Sequence, residues 1–410
     1  MKKTVNSAGN AVVFISYSVP NVNCCCSWLY HNNPSSKNGL NGKHTEHHRY
    51  WRDREMQTRI IDHSEAEAFD QFVANSAYGD MLQTYSWGEI KKPDWEPLRA
   101  VVEDDQQQIC AVMSILFRRI PIINRTIAYV PRGPVFADTA DAQLINYTLE
   151  SLTTLARERS AILIKIDPAI PEGELSTQVL QENSFHLTGT DHDFGGTQPR
   201  YTFRLSLTGS EEEIFARFSK KMRYKIRYGP KNGLIFRSNE ETSIADFYTA
   251  LSQTGERNDI MTRSPEYFQR VYDILKKDDR VLLCTGYIED EPVISSLTFA
   301  LGDKAWAVYG GQTNKYRKFY TYHAMNWERI KWAHRKGAAW FDFYGVPGNV
   351  DEDHPLSGLY YFKQSFGGDY VAFIGEWDKP LSSTFYWLWE TALPRYRTLL
   401  HRLFRRQPES

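Results

Sequence analysis

The sequence has no long apolar run and few cysteines, and both shortages limit what kind of protein it can be. No stretch of 18 or more apolar residues is present, so no membrane-spanning helix is predicted. The only five cysteines are Cys24, Cys25, Cys26, Cys110 and Cys284. Their spacing fits neither a disulfide framework nor a zinc site, so a reducing compartment is the default expectation.

Signatures of several common enzyme classes are also missing. The sequence has neither a Gly-x-Ser-x-Gly elbow nor a Gly-x-x-x-x-Gly-Lys-Ser/Thr phosphate loop. Outside the segment His44–His48, no histidine pair has the His-x-x-x-His spacing of a zinc-binding helix. These gaps argue against hydrolase triads, metal hydrolases and P-loop enzymes, and we expect neither a metal nor a cofactor.

The charge balance gives no indication of a polyanionic partner. The formal net charge is −1, so any binding to nucleic acid or to an anionic membrane must come from local patches.

Length and composition indicate two domains behind an unusual first segment. The chain has 410 residues, of which 41% are hydrophobic, enough for a large core. Residues 1–55 are rich in Asn, Ser, His and Arg, so we predict a disordered and dispensable tail. A signal peptide is the less favoured alternative, because no small-residue cleavage site cleanly follows the apolar patch Ala11–Val19. Normal globular patterning begins at Met56.

One order of elements occurs twice: a hairpin, a strand, a loop, a long helix and a strand. The second copy includes Val281–Ile288, a helix Tyr322–Lys336 and a buried strand Ala339–Phe343. Three residue pairs show offsets of 186, 180 and 175: Asp104 with Asp290, Tyr129 with Tyr309, and Asp167 with Asp342. Offsets this similar predict a duplicated α/β module. We place the first module at 56–203, completed by about 375–410, and the second at 204–374.

Lys363 is the strongest single candidate for chemistry. It follows Tyr360-Tyr361-Phe362, and a lysine beside an aromatic run is partly desolvated, where a fixed cation can stabilise an oxyanion. The structural alternative is a lysine on an edge strand whose ammonium reaches water.

A basic segment and an aromatic basic loop are candidates for binding phosphate. A predicted helix Ser210–Arg227 carries six Lys or Arg between Arg217 and Arg227, which favours contact with a phosphate backbone, RNA included, or else a solvated face. The loop Lys315–Tyr320 stands where a CoA enzyme of this element order would carry a glycine-rich pyrophosphate cradle, and its bulk argues against CoA.

Three further features have both a functional and a structural interpretation. Arg263 and Tyr267 are four residues apart and can face one ligand, although capping and packing explain them equally well. Asp342, inside an apolar strand, needs a partner if it is buried. The segment Phe385–Arg406 predicts a basic amphipathic helix, which either docks on a membrane surface or packs on the first module.

In seven ordered segments, the chain resembles the Fem family of peptidoglycan interpeptide-bridge aminoacyltransferases. The match runs from about Met56 to Asp378. Each segment alone is weak evidence, but all seven segments in this order are specific. The segments are Gln83-Thr-Tyr-Ser-Trp-Gly-Glu-Ile-Lys91, Tyr129-Val-Pro-Arg-Gly-Pro134, Lys220-Lys-Met-Arg-Tyr-Lys-Ile-Arg227, Thr254-Gly-Glu-Arg257, Tyr309-Gly-Gly311, Asp342-Phe-Tyr-Gly-Val-Pro-Gly348 and Phe362-Lys-Gln-Ser-Phe-Gly-Gly368.

The resemblance implies an α/β fold of two tandem GNAT-like (acyl-CoA N-acyltransferase-like) modules, here without a coiled-coil arm. It implies transfer of an amino acid from aminoacyl-tRNA to the stem-peptide amine of a peptidoglycan precursor, either lipid II or a nucleotide-linked (UDP-linked) muropeptide. Such an enzyme is expected to be cytoplasmic, with possible peripheral contact at the inner face of the membrane.

The resemblance also assigns residues. Lys363 is implied to be the catalytic cation. Lys91 and Arg263 would hold precursor phosphates, while Tyr267, Tyr309 and Phe362 would contact the substrate. The implied tRNA contacts are Lys220, Lys221, Arg223, Lys225, Arg227, Lys315, Arg317 and Lys318.

The chain departs from the family pattern at Pro93 and Ala169, where some members carry Trp and Tyr. Both departures concern the precursor contacts. Two other functions stay open on the sequence: a CoA-dependent N-acyltransferase of the same fold, and a non-catalytic protein that binds RNA or membrane.

Overall fold

The computed structural model describes residues 55–120, 124–189, 194–258, 260–348, 350 and 354–387. The predicted tail lies almost entirely outside them, as does the segment after Trp387. The strands are β1 Gln57–Ile60, β2 Glu96–Glu103, β3 Ile109–Ile120, β4 Arg125–Val130, β5 Val135–Phe136, β6 Ala161–Ile166, β7 His186–Thr188, β8 Tyr201–Ser206, β9 Ile235–Ser238, β10 Val281–Ile288, β11 Glu291–Leu301, β12 Lys304–Gln312, β13 Trp340–Asp342, β14 Asp369–Ala372 and β15 Glu376–Pro380.

The α-helices alternate with these strands. They are α1 Ala66–Asn75, α2 Tyr85–Lys91, α3 Ala142–Glu158, α4 Gln178–Glu182, α5 Glu211–Arg217, α6 Lys220–Lys231, α7 Ile244–Arg257, α8 Pro265–Lys277, α9 Thr321–Arg335, α10 Ser357–Gln364 and α11 Ser383–Trp387. The longest of these described helices, α3, has 17 residues. Within the described ranges, no helix is both long and apolar enough to cross a bilayer.

The strands form two sheets, as the predicted duplication requires. The first has the order β1-β2-β3-β4-β6-β15-β7, with β5 beside β3, and the second has the order β14-β8-β13-β12-β11-β10-β9. In each sheet the hairpin is antiparallel and the strand after the long helix pairs in parallel, β4 with β6 and β12 with β13. The repeated element order is therefore confirmed.

One detail of the predicted repeat is wrong. The parallel pairs begin at Thr126 with Ala161 in the first sheet and at Lys304 with Trp340 in the second. Asp167 lies six residues after Ala161, whereas Asp342 lies only two residues after Trp340. The two aspartates are not equivalent, because β13 is half as long as β6 and leaves the parallel pairing early.

Within the described residues, the chain crosses between the sheets twice. Strand β8 spans the predicted boundary at 203 and lies wholly in the second sheet, so we place the first crossing before Tyr201. After β14 in the second sheet, the chain returns as β15 to pair with β6.

The prediction of one continuous helix over Ser210–Arg227 is wrong in its middle. The segment is two helices, α5 and α6, separated by Phe218 and Ser219. The backbone of Phe218 is extended and its side chain is buried, while the Ser219 hydroxyl accepts a hydrogen bond from the Met222 amide. Burial of the ring and this local cap together favour the break. A capping box formed by Ser210 and Glu213 begins α5.

A shared apolar core joins the modules. It lies on one face of each sheet and takes residues from α1 and α2 of the first module and from α7 and α8 of the second. Phe268 on α8 is fully buried there, with its ring 5.1 Å from that of Phe247 and 5.2 Å from that of Tyr309. The core therefore holds in place the helix ends that carry candidate site residues.

We predict that Phe268→Ala lowers the free energy of unfolding by about 3–5 kcal/mol, because it removes a fully buried ring and leaves a cavity. Chemical denaturation followed by tryptophan fluorescence and far-UV circular dichroism measures the change. The control is Ile235→Ala, at a side chain that is 61% exposed, where we expect a shift within about 0.5 kcal/mol. A loss below about 1 kcal/mol for Phe268→Ala would contradict the shared-core description.

Candidate active site

Lys363 lies on helix α10 and points into the protein. The alternative interpretation placed Lys363 on an edge strand with its ammonium in water. Instead, the residue lies in a helix and is only 7% exposed. Its Nζ donates hydrogen bonds to the main-chain oxygens of Tyr344 and Gly345, each at 2.8 Å. The ammonium is therefore held by two neutral dipoles.

Burial lowers the pKa of Lys363 to about 7, since the charged form loses its hydration. The carboxylate of Asp342 opposes this shift, and the guanidinium of Arg329 adds to it. A group with this pKa changes charge near neutral pH, which is common in catalytic sites.

Asp342 has the partners that its burial requires. Oδ1 accepts hydrogen bonds from the Thr202 hydroxyl and from the Tyr344 amide, and Oδ2 accepts one from Arg204 Nε at 3.0 Å. These contacts fix the carboxylate at the start of the loop that carries the two acceptors of Lys363.

A second cluster contains four of the residues implied by the resemblance. Lys91 at the end of α2 donates to the Tyr267 hydroxyl at 3.0 Å, and the Tyr267 and Tyr309 hydroxyls are 3.4 Å apart. Lys91 Nζ also lies 4.7 Å from the centre of the Trp87 ring, and Arg263 Cζ lies 5.6 Å from that of Tyr267. Two cations and two phenols from both modules thus meet at one place.

The two tyrosines differ in acidity. Burial alone would raise the pKa of Tyr267, but the neighbouring Lys91 ammonium outweighs it and the pKa is lowered. Burial raises the pKa of Tyr309 well above its ordinary value, and the neighbouring Tyr267 raises it further. The Tyr309 hydroxyl therefore stays protonated at neutral pH and can donate a hydrogen bond to a ligand.

Arg329 connects this cluster with Lys363. It is 5% exposed, donates to the Tyr309 carbonyl at 2.7 Å, and lies close enough to Lys363 to lower that residue's pKa. Its other acceptors are the neutral oxygens of Thr298 and Asn326. The sequence analysis missed Arg329, because its position inside the amphipathic helix α9 carries no distinguishing signal.

Phe362 packs against the start of helix α9. Its ring lies 5.0 Å from that of His323 and 6.3 Å from that of Tyr322, at the start of α9. Burial lowers the pKa of His323 to about 3, so the imidazole beside Phe362 is neutral. These ring contacts do not test the predicted role of Phe362 in substrate binding, which stays a prediction.

The basic residues predicted to contact tRNA lie on neighbouring elements. Lys220, Lys221, Arg223, Lys225 and Arg227 are on α6, and the Tyr228 ring on the same helix lies 5.5 Å from that of Tyr320 in the basic loop. Helix and loop thus share one side of the second module.

Several of these cations have contacts of their own. Arg223 donates to the main-chain oxygens of Ala216 and Phe218, and the Arg227 guanidinium lies 4.7 Å from the centre of the Phe215 ring. In the loop, Lys315 pairs with Glu291 at 2.7 Å, Lys318 lies over the Phe319 ring, and Arg317 lies on the turn between them. Lys315 and Lys318 are nevertheless exposed, so their contacts within the loop leave them accessible to a ligand.

Helix α6 carries a basic aromatic face that the sequence analysis only half identified. Each member lies three or four residues from another, as on one helix face. Together they line a groove of about 370 Å³: Lys220, Arg223, Tyr224, Arg227, Tyr228 and Lys231. The tyrosines were missed, although the helical period between the cations would have found them.

In the described part of the chain, no group of three or more His, Cys, Asp or Glu residues is placed to hold a metal ion.

Known proteins resemble this chain in sequence. The model of the FemAB family matches residues 64–291 and 285–393. The lipid II:glycine glycyltransferase of Staphylococcus haemolyticus (strain JCSC1435) is 29% identical over 396 residues, covering 80% of this chain and 94% of that protein. The lipid II:glycine glycyltransferase of Staphylococcus aureus (strain USA300) is 25% identical over 407 residues, covering 81% and 96%.

Among solved structures, the crystal structure of FemX superposes with a TM-score of 0.72 at 23% identity, covering 82% of this chain and all of that one. This likeness confirms the predicted α/β fold class, and the two sheets of similar strand order agree with two tandem modules. Because the family model covers most of its length, the chain belongs to the FemAB family.

Proposed function

We propose that this protein is an aminoacyltransferase that builds the peptidoglycan interpeptide bridge, moving an amino acid from aminoacyl-tRNA to the stem-peptide amine of lipid II. The observation that carries the proposal is the buried Lys363 ammonium, held by two main-chain carbonyls. Lys91, Tyr267 and Tyr309 form a second polar cluster, and Arg329 donates a hydrogen bond to the Tyr309 carbonyl. Relatives named lipid II:glycine glycyltransferases support the acceptor. The donor rests on the family resemblance and on the basic face of α6.

The chemistry needs positioning more than a dedicated base. The acceptor amine attacks the carbonyl carbon of the aminoacyl ester, a C–N bond forms, and negative charge gathers on the carbonyl oxygen. Protonated Lys363 stabilises that oxyanion. Collapse breaks the ester C–O bond, and the proton lost by the amine balances the proton gained by the departing ribose hydroxyl. The ester is already activated, so correct orientation supplies much of the acceleration.

On the acceptor side, we assign Lys91 and Arg263 to the precursor pyrophosphate and Tyr267 and Tyr309 to the peptide. A pyrophosphate is a stronger partner for the Lys91 ammonium than the Tyr267 hydroxyl it now contacts. Its arrival would release that hydroxyl to bind the peptide.

On the donor side, we assign the face of α6 to the single-stranded end of the tRNA. Tyrosines interleaved with cations suit unpaired nucleotides, because the rings stack on bases while the cations follow the phosphates. Tyr224 is 58% exposed and available for stacking.

The CoA-dependent alternative receives less support. The loop before α9, where a CoA pyrophosphate would lie in an acetyltransferase, is filled by stacked rings of Tyr316 and Phe319, 5.4 Å apart. Peripheral membrane contact by Phe385–Arg406 also stays a proposal, since that segment lies mostly outside the described residues.

The direct test combines purified protein, a mixture of charged tRNAs and either lipid II or its nucleotide-linked precursor. We expect a product heavier by one amino acid residue, formed only when the tRNA is charged. Mass spectrometry of the precursor reads this out and also identifies the amino acid. A product formed from acetyl-CoA instead would overturn the proposal.

The depressed pKa of Lys363 predicts an unusual pH profile. The ammonium loses its proton as pH rises through about 7, so kcat/KM for the donor should fall above that pH with an apparent pKa near 7. In Lys363→Arg this descending limb should vanish, since a guanidinium stays protonated. Lys363→Met should reduce turnover by about 10²-fold. An unchanged profile in Lys363→Arg would remove the lysine from the mechanism.

Lys91→Met and Arg263→Met should weaken the acceptor specifically. A charge-assisted hydrogen bond contributes about 1.5–3 kcal/mol, so each change should raise the acceptor KM by about tenfold or more and leave the donor KM unchanged. Lys92→Met is the matched control, because Lys92 adjoins Lys91 but pairs with Glu89 at the surface. A weaker donor titration with an intact acceptor titration would contradict this assignment.

Substitutions on the face of α6 should weaken the donor instead. Tyr224→Ala should raise the donor KM by about tenfold, as expected for one lost base stack. Lys220→Ala should flatten the dependence of log affinity on log salt by about one unit of slope, since one phosphate contact is lost. Exposed Lys277 on α8 provides the control Lys277→Ala. Donor kinetics and salt slopes identical to wild type in both face variants would rule this surface out.

A further inference from the structure

We infer that Gln198 and Asp342 are positioning residues for Lys363 and act on it through Tyr344. The inference rests on the proposed catalytic role of Lys363. Its basis is a chain of hydrogen bonds that starts in the first module and ends at the two carbonyls that hold the ammonium.

The acceptors of Lys363 come from consecutive residues, Tyr344 and Gly345. In an extended strand, successive peptide groups point to opposite sides, so two consecutive carbonyls do not converge on one atom. The backbone here is not extended, because Tyr344 has a φ of 58°. This left-handed conformation is unfavourable for a bulky residue, so surrounding contacts must maintain it.

Tyr344 is held at both ends. Its amide donates to Asp342 Oδ1 at 2.7 Å, and its hydroxyl donates to Gln198 Oε1 at 2.9 Å. The side chain is 7% exposed, so neither bond is easily replaced by water. Together the bonds fix the peptide units whose oxygens face Lys363.

The two anchors are themselves fixed. The carboxylate of Asp342 is held from strand β8 by Thr202 and Arg204. Gln198 Nε2 donates to the Tyr129 hydroxyl at 3.3 Å, and Tyr129 in turn donates to Asp167 at 2.7 Å.

A buried ion pair in the first sheet also ties down the segment that carries Gln198. The amide of Thr197, the preceding residue, donates to Glu376 at 2.7 Å, and Glu376 is paired with Lys165. The first module thus fixes one end of Tyr344 and the second module fixes the other. Orientation of the lysine therefore depends on both modules, although Lys363 belongs to the second alone.

The test uses Tyr344→Phe, which removes the hydroxyl but keeps the ring and backbone, and Gln198→Leu as an independent second variant. Each should lower kcat by about tenfold while leaving the acceptor KM unchanged, because a misdirected ammonium stabilises the transition state less well. In a Lys363→Met background the same changes should lower kcat by less than twofold. Equal losses in both backgrounds would show that Tyr344 and Gln198 do not act through Lys363, and would overturn the inference.

A second measurement does not depend on activity. Competitive acetylation of the intact protein, followed by peptide mass spectrometry, reports how accessible each lysine is. Lys363 should react several-fold faster in Tyr344→Phe than in wild type. Lys304, another buried lysine held by the Ala74 carbonyl at 2.8 Å, is the internal reference and should not change. Unchanged Lys363 reactivity, or equal acceleration of both lysines, would overturn the inference.

The matched control is Tyr287→Phe. Tyr287 is 6% exposed and its hydroxyl bonds to Thr242 and Asp246, so the change removes a comparable buried hydroxyl on the far hairpin. Neither kcat nor Lys363 reactivity should change. If the wild-type protein transfers no amino acid at all, the proposed function fails, but the acetylation result still decides whether Tyr344 positions Lys363.

Discussion

The Lys363 ammonium, held by two main-chain carbonyls inside the protein, is the interaction on which the proposed site depends. A buried cation loses its hydration, and neutral dipoles replace only part of that loss, so its pKa lies near 7. Such a group can carry a proton at neutral pH and yet interacts strongly with a developing negative charge, because little water screens it. The left-handed Tyr344, the carboxylate of Asp342 and the buried Arg329 each contribute to that environment.

Both modules supply residues to the proposed site. Helix α2 of the first module supplies Lys91, while the second module supplies Tyr267, Tyr309 and Lys363. The shared core between the sheets holds the helices that bring Lys91 and Tyr267 within hydrogen-bonding distance. An acceptor bound near Lys91 and an amine directed toward Lys363 would therefore depend on both modules.

The repeated hairpin, strand, helix and strand were predictable, because long buried strands leave a clear apolar pattern. The spacing indicated that Arg263 and Tyr267 could face one ligand, while their grouping with Lys91 and Tyr309 was expected only from the family resemblance. The break at Phe218 was not foreseen, since capping by Ser219 competes with helix continuation only once the ring is buried. Gln198 and Arg329 were also missed, because their importance arises from partners that lie 146 and 20 residues away in sequence.

The most direct measurement of the central claim is the ionisation of Lys363 in the intact protein. Nuclear magnetic resonance titration of protein with ¹³C-labelled lysine, with Lys363→Met used to assign the signal, gives its pKa without any substrate. We predict a titration midpoint near pH 7 for Lys363, well below the pKa of about 10.4 of an ordinary lysine. A Lys363 that stays protonated up to pH 10 would contradict it.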